Sequence, residues 1–147
     1  MQEYISRNID KELIAWKDDS MRKPLLLRGA RQVGKSSAVR HFGREFKYFA
    51  EVNFERHKAI KTFFQGDIDV HMIAQKISNY IKVPMVAGET LLFFDEIQEC
   101  PEAIMALRFF KEDYPELHVI AAGSLLEFTL EELPTFGVGR IHSLFMY

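Results

Sequence analysis

Apolar residues recur along the chain in two rhythms. Ile5, Ile9, Leu13 and Trp16 form one stripe at helical spacing, which predicts a first helix over about 4–17. Asp18, Asp19 and Ser20 break that stripe, and the run Pro24-Leu25-Leu26-Leu27-Arg28 then leads into a glycine-bearing turn, the pattern of a buried strand. A helix is expected over about 36–46, weakened at its end by Gly43. Tyr48, Ala50 and Val52 alternate with Phe49 and Glu51, predicting a strand over 48–54. A helix over about 70–81, a strand over 91–95, a helix over 102–112 behind Pro101, and strands over 118–122 and 141–145 complete the pattern. Continuously apolar strands separated by helices point to a parallel sheet covered on both faces.

There is no internal repeat, low-complexity tract or linker-like stretch. Composition narrows the class. At 147 residues, 48% apolar and 27% charged, the chain has the make-up of one folded domain. A single cysteine, Cys100, excludes an intramolecular disulfide framework and a cysteine-rich zinc module. The first ten residues carry no apolar core of a secretory signal, and no apolar run reaches membrane-spanning length, so a cytoplasmic location is the default expectation. The net charge of −2 argues against a surface that tracks nucleic acid throughout. Charge is uneven, however: residues 1–50 carry 11 basic and 6 acidic side chains, and the remainder is net acidic. An anion handled in the first third would explain that bias, as would a solvated helix.

Gly29-Ala30-Arg31-Gln32-Val33-Gly34-Lys35-Ser36 fits G-x-x-x-x-G-K-[ST], between a predicted strand and a predicted helix. Glycines at both ends let successive backbone N–H groups turn toward phosphate oxygens. Lys35 would meet the β- and γ-phosphates as a point charge, and the Ser36 hydroxyl is a hard oxygen ligand suited to Mg²⁺. The helix that follows adds its N-terminal dipole. With Ser37, these nine residues form the candidate nucleotide-binding set.

Such a site needs a carboxylate for the metal and a group to orient water. Leu91-Leu92-Phe93-Phe94-Asp95-Glu96 places both at the C-terminal end of a buried strand, where open α/β sheets bind ligands. Asp95 is the metal candidate and Glu96 the general base. The alternative for Asp95 is an N-cap on the next helix.

These two motifs, together with Ile97-Gln98 after the acidic pair, resemble the AAA+ superfamily of P-loop ATPases. They are similar in particular to a large, mostly uncharacterised bacterial and archaeal family of ATP-binding proteins with an N-terminal AAA-type domain and a second domain behind it. The resemblance spans nearly the whole chain. It implies a three-layer α/β sandwich around a mainly parallel five-stranded sheet, with residues 1–147 as one nucleotide-binding core and ATP and Mg²⁺ as ligands. It also implies a polar sensor at the end of the strand after the acidic pair, matched by Ser124, and an arginine-finger candidate in Gly139-Arg140, matched by Arg140. Ser124 could instead N-cap a helix carrying Leu125 and Leu126, and Arg140 could be a surface arginine. Arg31 and Gln32 could cover the phosphates or face a partner. No lid domain follows Tyr147, so the lid arginine and the family's C-terminal domain are expected outside this chain, which reads as a fragment.

Other features are weaker. The five histidines have no metal-ligand spacing. Cys100 stands before Pro101 at a helix start, where a dipole could lower its pKa. The many phenylalanines read as core. Arg40, Arg44 and Lys47 read as a solvated basic face. A GTPase would carry Asn-Lys-x-Asp, and a glycine where Gln98 stands; an ABC-type ATPase would carry a glycine-rich signature where only Ala87-Gly88-Glu89 appears; a small-molecule kinase would show an acceptor site. The expectation is therefore an ATPase that drives conformational change in a longer protein. A nucleotide-dependent switch with little turnover is the alternative. Self-association, and a target that could be DNA, protein or a transporter component, are left open.

Overall fold

A computed structural model describes residues 8–30, 34–126 and 141–146. Its strands are β1 (Leu25–Arg28), β2 (Tyr48–Asn53), β3 (Thr90–Asp95), β4 (His118–Gly123) and β5 (His142–Phe145). They form one sheet in the order β2-β3-β4-β1-β5, and every pair is parallel. The helices are α1 (Asn8–Asp18), α2 (Lys35–Phe42), α3 (Val70–Ile81) and α4 (Pro101–Asp113). The part of the expected first helix before Asn8 lies outside the described residues, and no described helix is long and apolar enough to cross a membrane.

The chain leaves β1 through α2 for the far edge, β2, and then returns through α3 and α4 to β3 and β4. Right-handed crossovers taken in opposite directions put the two sets of helices on opposite faces. Leu25, Leu27, Leu91 and Phe93 accordingly pack with α1 and α2, whereas Leu26, Leu92 and Phe94 pack with α3 and α4. The alternation is the period-two side-chain pattern of a strand. All six residues of β3 and all six of β4 are buried, as befits central parallel strands, while β5 at the edge is mostly exposed.

Element ends follow local chemistry. β1 begins at Leu25 because Pro24 has no N–H to give, although its carbonyl still accepts from the His142 N–H at 2.9 Å. Asp69 caps α3 by accepting from the Met72 N–H, and Pro101 occupies the first turn of α4. α2 stops at Phe42 and tightens into a 3₁₀ turn, Gly43–Glu45. Two further 3₁₀ turns, Lys58–Phe64 and Ile97–Glu99, have no counterpart in the sequence pattern.

Candidate functional site

β1 sends its chain toward one edge of the sheet, and its neighbour β4 sends its chain toward the other. Such a reversal opens a crevice outside the C-terminal strand ends. The loop after β1, the end of β3 and the end of β4 all lie there.

Gly29 has φ 149° and Gly34 has φ 87° with ψ 20°, both conformations that residues with a Cβ rarely adopt. The two glycines therefore set the bend at either end of the loop. Lys35 starts α2 and is only 9% exposed; its Nζ donates to the Gly29 and Ala30 carbonyls, each at 2.8 Å. The ammonium is thus folded back over the start of the loop. The first turn of α2 carries no acidic residue, so its N-terminal dipole stays available to an anion. Ser37 lies exposed in that turn. Arg31, Gln32, Val33 and Arg140 lie outside the described residues.

Ser36 Oγ donates to Asp95 Oδ2 at 2.7 Å. Asp95 Oδ1 accepts from the Glu96 N–H at 2.9 Å. That bond goes to its immediate neighbour, and no side chain caps the following turn, so Asp95 does not serve as an N-cap. Burial pushes the Asp95 carboxyl above its ordinary range; the Ser36 and Glu96 hydrogen bonds oppose this, and the charges of Glu96 and Glu51 add to it. A hydroxyl and a buried carboxylate side by side are the hard oxygen donors that suit Mg²⁺, which usually takes one or two protein ligands and keeps several waters. The residues present fit that ion, and a cation there would relieve the burial of Asp95.

Arg40, one turn after Ser36 on α2, is exposed, in keeping with the solvated basic face it shares with Arg44 and Lys47, but it is also tethered. It makes a bidentate pair with Glu51 at 2.8 and 2.9 Å, and its Nη2 lies 3.9 Å from Asp95 Oδ2. The i, i+4 spacing from Ser36 was the available signal. The Glu51 partner depends on which strand lies beside β3, and no local pattern encodes that.

Glu96 sits in a left-handed conformation, φ 55° and ψ 45°, which turns the chain from β3 into Ile97–Glu99. Its Oε2 accepts from Gln98 Nε2 at 2.9 Å, and Gln98 Oε1 accepts from the Ser124 N–H at 3.3 Å. Ser124 is buried at the end of β4, joined to the acidic pair through Gln98. Leu125 has φ 53° and residues 124–126 are not helical, so Ser124 does not cap a helix carrying Leu125 and Leu126. Gln98 was not singled out from the sequence for this position.

Cys100 is 1% exposed, and burial pushes its thiol up to about 11, outweighing any helix-dipole effect.

The family described as an AAA domain matches residues 21–147. No curated protein matches the chain. Three solved structures are similar to it. The Walker-type ATPase PABY2304 of Pyrococcus abyssi is 18% identical with a TM-score of 0.59, over 97% of this chain and 53% of that one. PCH-2 of C. elegans is 16% identical with a TM-score of 0.56, over 93% and 41%. Drosophila ORC bound to DNA is 12% identical with a TM-score of 0.54, over 92% and 41%. At these identities the likeness is one of fold, the parallel α/β fold of P-loop ATPases. The chain spans about half or less of the length of each.

Proposed function

The chain belongs to the AAA domain family, and from that premise we propose that it binds ATP with Mg²⁺ in the crevice above β1, β3 and β4, hydrolyses it, and so drives motion in a longer protein. One observation carries the reading: the Ser36–Asp95 oxygen pair, 2.7 Å apart, stands at the same strand ends as the Lys35 ammonium in its glycine-bounded loop. Lys35 would exchange the Gly29 and Ala30 carbonyls for β- and γ-phosphate oxygens, keeping its proton and lending its charge. Backbone N–H groups over 29–37 would hold the remaining phosphate oxygens, with Arg31 and Gln32 covering the phosphates. Ser36 and Asp95 would hold Mg²⁺, which when bound would supply positive charge beside the phosphate oxygens.

Glu96 would accept the proton of the attacking water, which turns the water oxygen into a better nucleophile at phosphorus. Ser124 would meet the terminal phosphate or that water from the end of β4. Arg140 is assigned to transition-state charge at a contact between copies, so self-association belongs to the same proposal.

The test is Mg²⁺-dependent binding of fluorescent ATP and GTP analogues, with phosphate release measured in parallel. Lys35→Ala should weaken ATP-analogue binding about 10- to 100-fold, the worth of a charged hydrogen bond. Glu96→Gln should spare binding and lower turnover by at least about 100-fold. Binding unaffected by Lys35→Ala would overturn the site, and turnover that survives Glu96→Gln would overturn the role of Glu96.

A further inference from the structure

The chain reverses sharply at the end of β3. Left-handed Glu96 throws the Ile97–Glu99 turn back across the strand ends, with Ile97 fully buried as its anchor. Gln98 is thereby placed between two strands. One end of its amide donates to Glu96 Oε2 at 2.9 Å, and the other accepts from the Ser124 N–H at 3.3 Å. A primary amide offers a donor and an acceptor on one rigid group, so these two partners fix its orientation. A carboxylate has about four lone-pair sites, so an amide proton on Oε2 leaves acceptor capacity for a water.

Gly123 completes the arrangement from the other side. A Cβ at that position would fall 2.7 Å from Gln98 Oε1 and 3.1 Å from Ile97 Cγ2. Contacts under about 3 Å to a hydrogen-bonded group force something to shift, so the end of β4 is bare where the amide rests on it. Three independent features thus meet at one amide: the reversal at Glu96, the two-ended hydrogen bond and the missing Cβ.

We propose that Gln98 is a positioning residue that holds the Glu96 carboxylate in an orientation set by the end of β4, and that Gly123 is there to admit it. Whatever shifts Ser124 then shifts Glu96, so the end of β4 and the proton acceptor move as one unit. The proposal rests on the reading of Glu96 as general base, and its test separates the two.

Turnover, KM and ATP-analogue affinity are to be measured for the wild-type chain, Gln98→Ala, Gln98→Glu, Gly123→Ala, the double variant Gln98→Ala/Gly123→Ala, and Glu96→Gln. Loss of a charge-assisted hydrogen bond that orients the base should lower kcat about 10- to 100-fold. Affinity should stay within about twofold, since phosphate binding does not use Gln98. Gln98→Glu keeps the size but turns a donor into a like charge, so its kcat should be no higher than that of Gln98→Ala. Gly123→Ala should lower kcat in the wild-type background and have much less effect on Gln98→Ala, where the obstructed amide is gone.

Wild-type kcat in both Gln98 variants, with Glu96→Gln inactive, would overturn the positioning role and leave the base assignment standing. Additive losses in the double variant, or loss of affinity in step with kcat, would reduce Gln98 to a structural tie and overturn it as well. A Glu96→Gln chain indistinguishable from wild type would sink both readings.

Discussion

Asp95 accepts hydrogen bonds from Ser36 and from the Glu96 backbone, and still its carboxyl is held above the ordinary range. Desolvation outweighs the two bonds, the nearby acids add to it, and Arg40 at 3.9 Å is too far away and too solvated to offset it. A folded pKa above the unfolded one means that the ionised form works against the fold at neutral pH. Stability gained from Asp95 therefore appears as pH falls through that raised value. The same carboxylate gives a cation its strongest reason to bind. Asp95→Asn keeps the shape, and its amide can donate to Ser36 Oγ while its carbonyl accepts from the Glu96 N–H. We expect the substitution to raise the melting temperature without added ligand by about 2–4 °C, corresponding to about 1 kcal/mol. The Mg²⁺-dependent part of nucleotide binding should disappear at the same time. Thermal melts with and without Mg²⁺ and ATP check both halves; a lower melting temperature in the unliganded variant would contradict the account of burial.

The junction of α2 and β2 makes a prediction about an element. Gly43 ends α2, and a Cβ there would meet Phe49 Cδ1 at 2.6 Å, with Phe49 in turn stacked on Phe93 at 6.1 Å between centroids. Gly43→Ala should therefore destabilise the fold by about 1–3 kcal/mol through overpacking, although alanine is the better helix former. Trimming Phe49 to leucine should recover part of that loss in urea melts; a full-sized loss that Phe49→Leu leaves unchanged would place the strain elsewhere. In the sequence Gly43 could be read only as a weak helix end, because its contact lies on a strand that follows it. The same division runs through the rest of the chain. α3 was legible to both ends, since its apolar period is local. The strands were legible as apolar runs, and the loop and acidic pair as motifs. The turns at Lys58–Phe64 and Ile97–Glu99, the pairing of Arg40 with Glu51 and the bridge from Glu96 to Ser124 were not. Each depends on which strand ends lie side by side, and strand order is a property of the whole sheet.

At the scale of the molecule, β4 joins two different environments. Its C-terminal end carries Ser124 at the candidate site, and His118 opens its N-terminal end, roughly 20 Å away at about 3.3 Å per residue. There the imidazole is 6% exposed, with Trp16 at 5.5 Å and Phe46 at 5.0 Å between centroids, and its Nε2 bonded to the Lys17 carbonyl at 3.2 Å. Burial pushes its pKa from 6.5 down to about 4; the Lys17 carbonyl and Asp18 oppose the shift, and the Arg22 and Lys17 charges add to it. Between those two values the unfolded chain binds a proton that the folded chain refuses, so stability falls as pH drops through the window and levels off below it. The full loss is on the order of 3 kcal/mol, at about 1.4 kcal/mol per pH unit where the slope is steepest. Asp95 titrates in the opposite sense, which makes a variant comparison more informative than the wild-type curve alone. His118→Phe keeps an aromatic ring in the Trp16–Phe46 cluster and removes the titration. Urea unfolding at pH 7 and pH 5 should give a smaller stability difference for His118→Phe than for the wild type, by about 1–2 kcal/mol. Nucleotide-analogue affinity at pH 7 should be unchanged, since among the described residues the two ends of β4 share no side-chain partner. Equal pH dependence in the two proteins would mean that His118 is protonated within the fold, and the packing around Trp16 would then have to admit a charge.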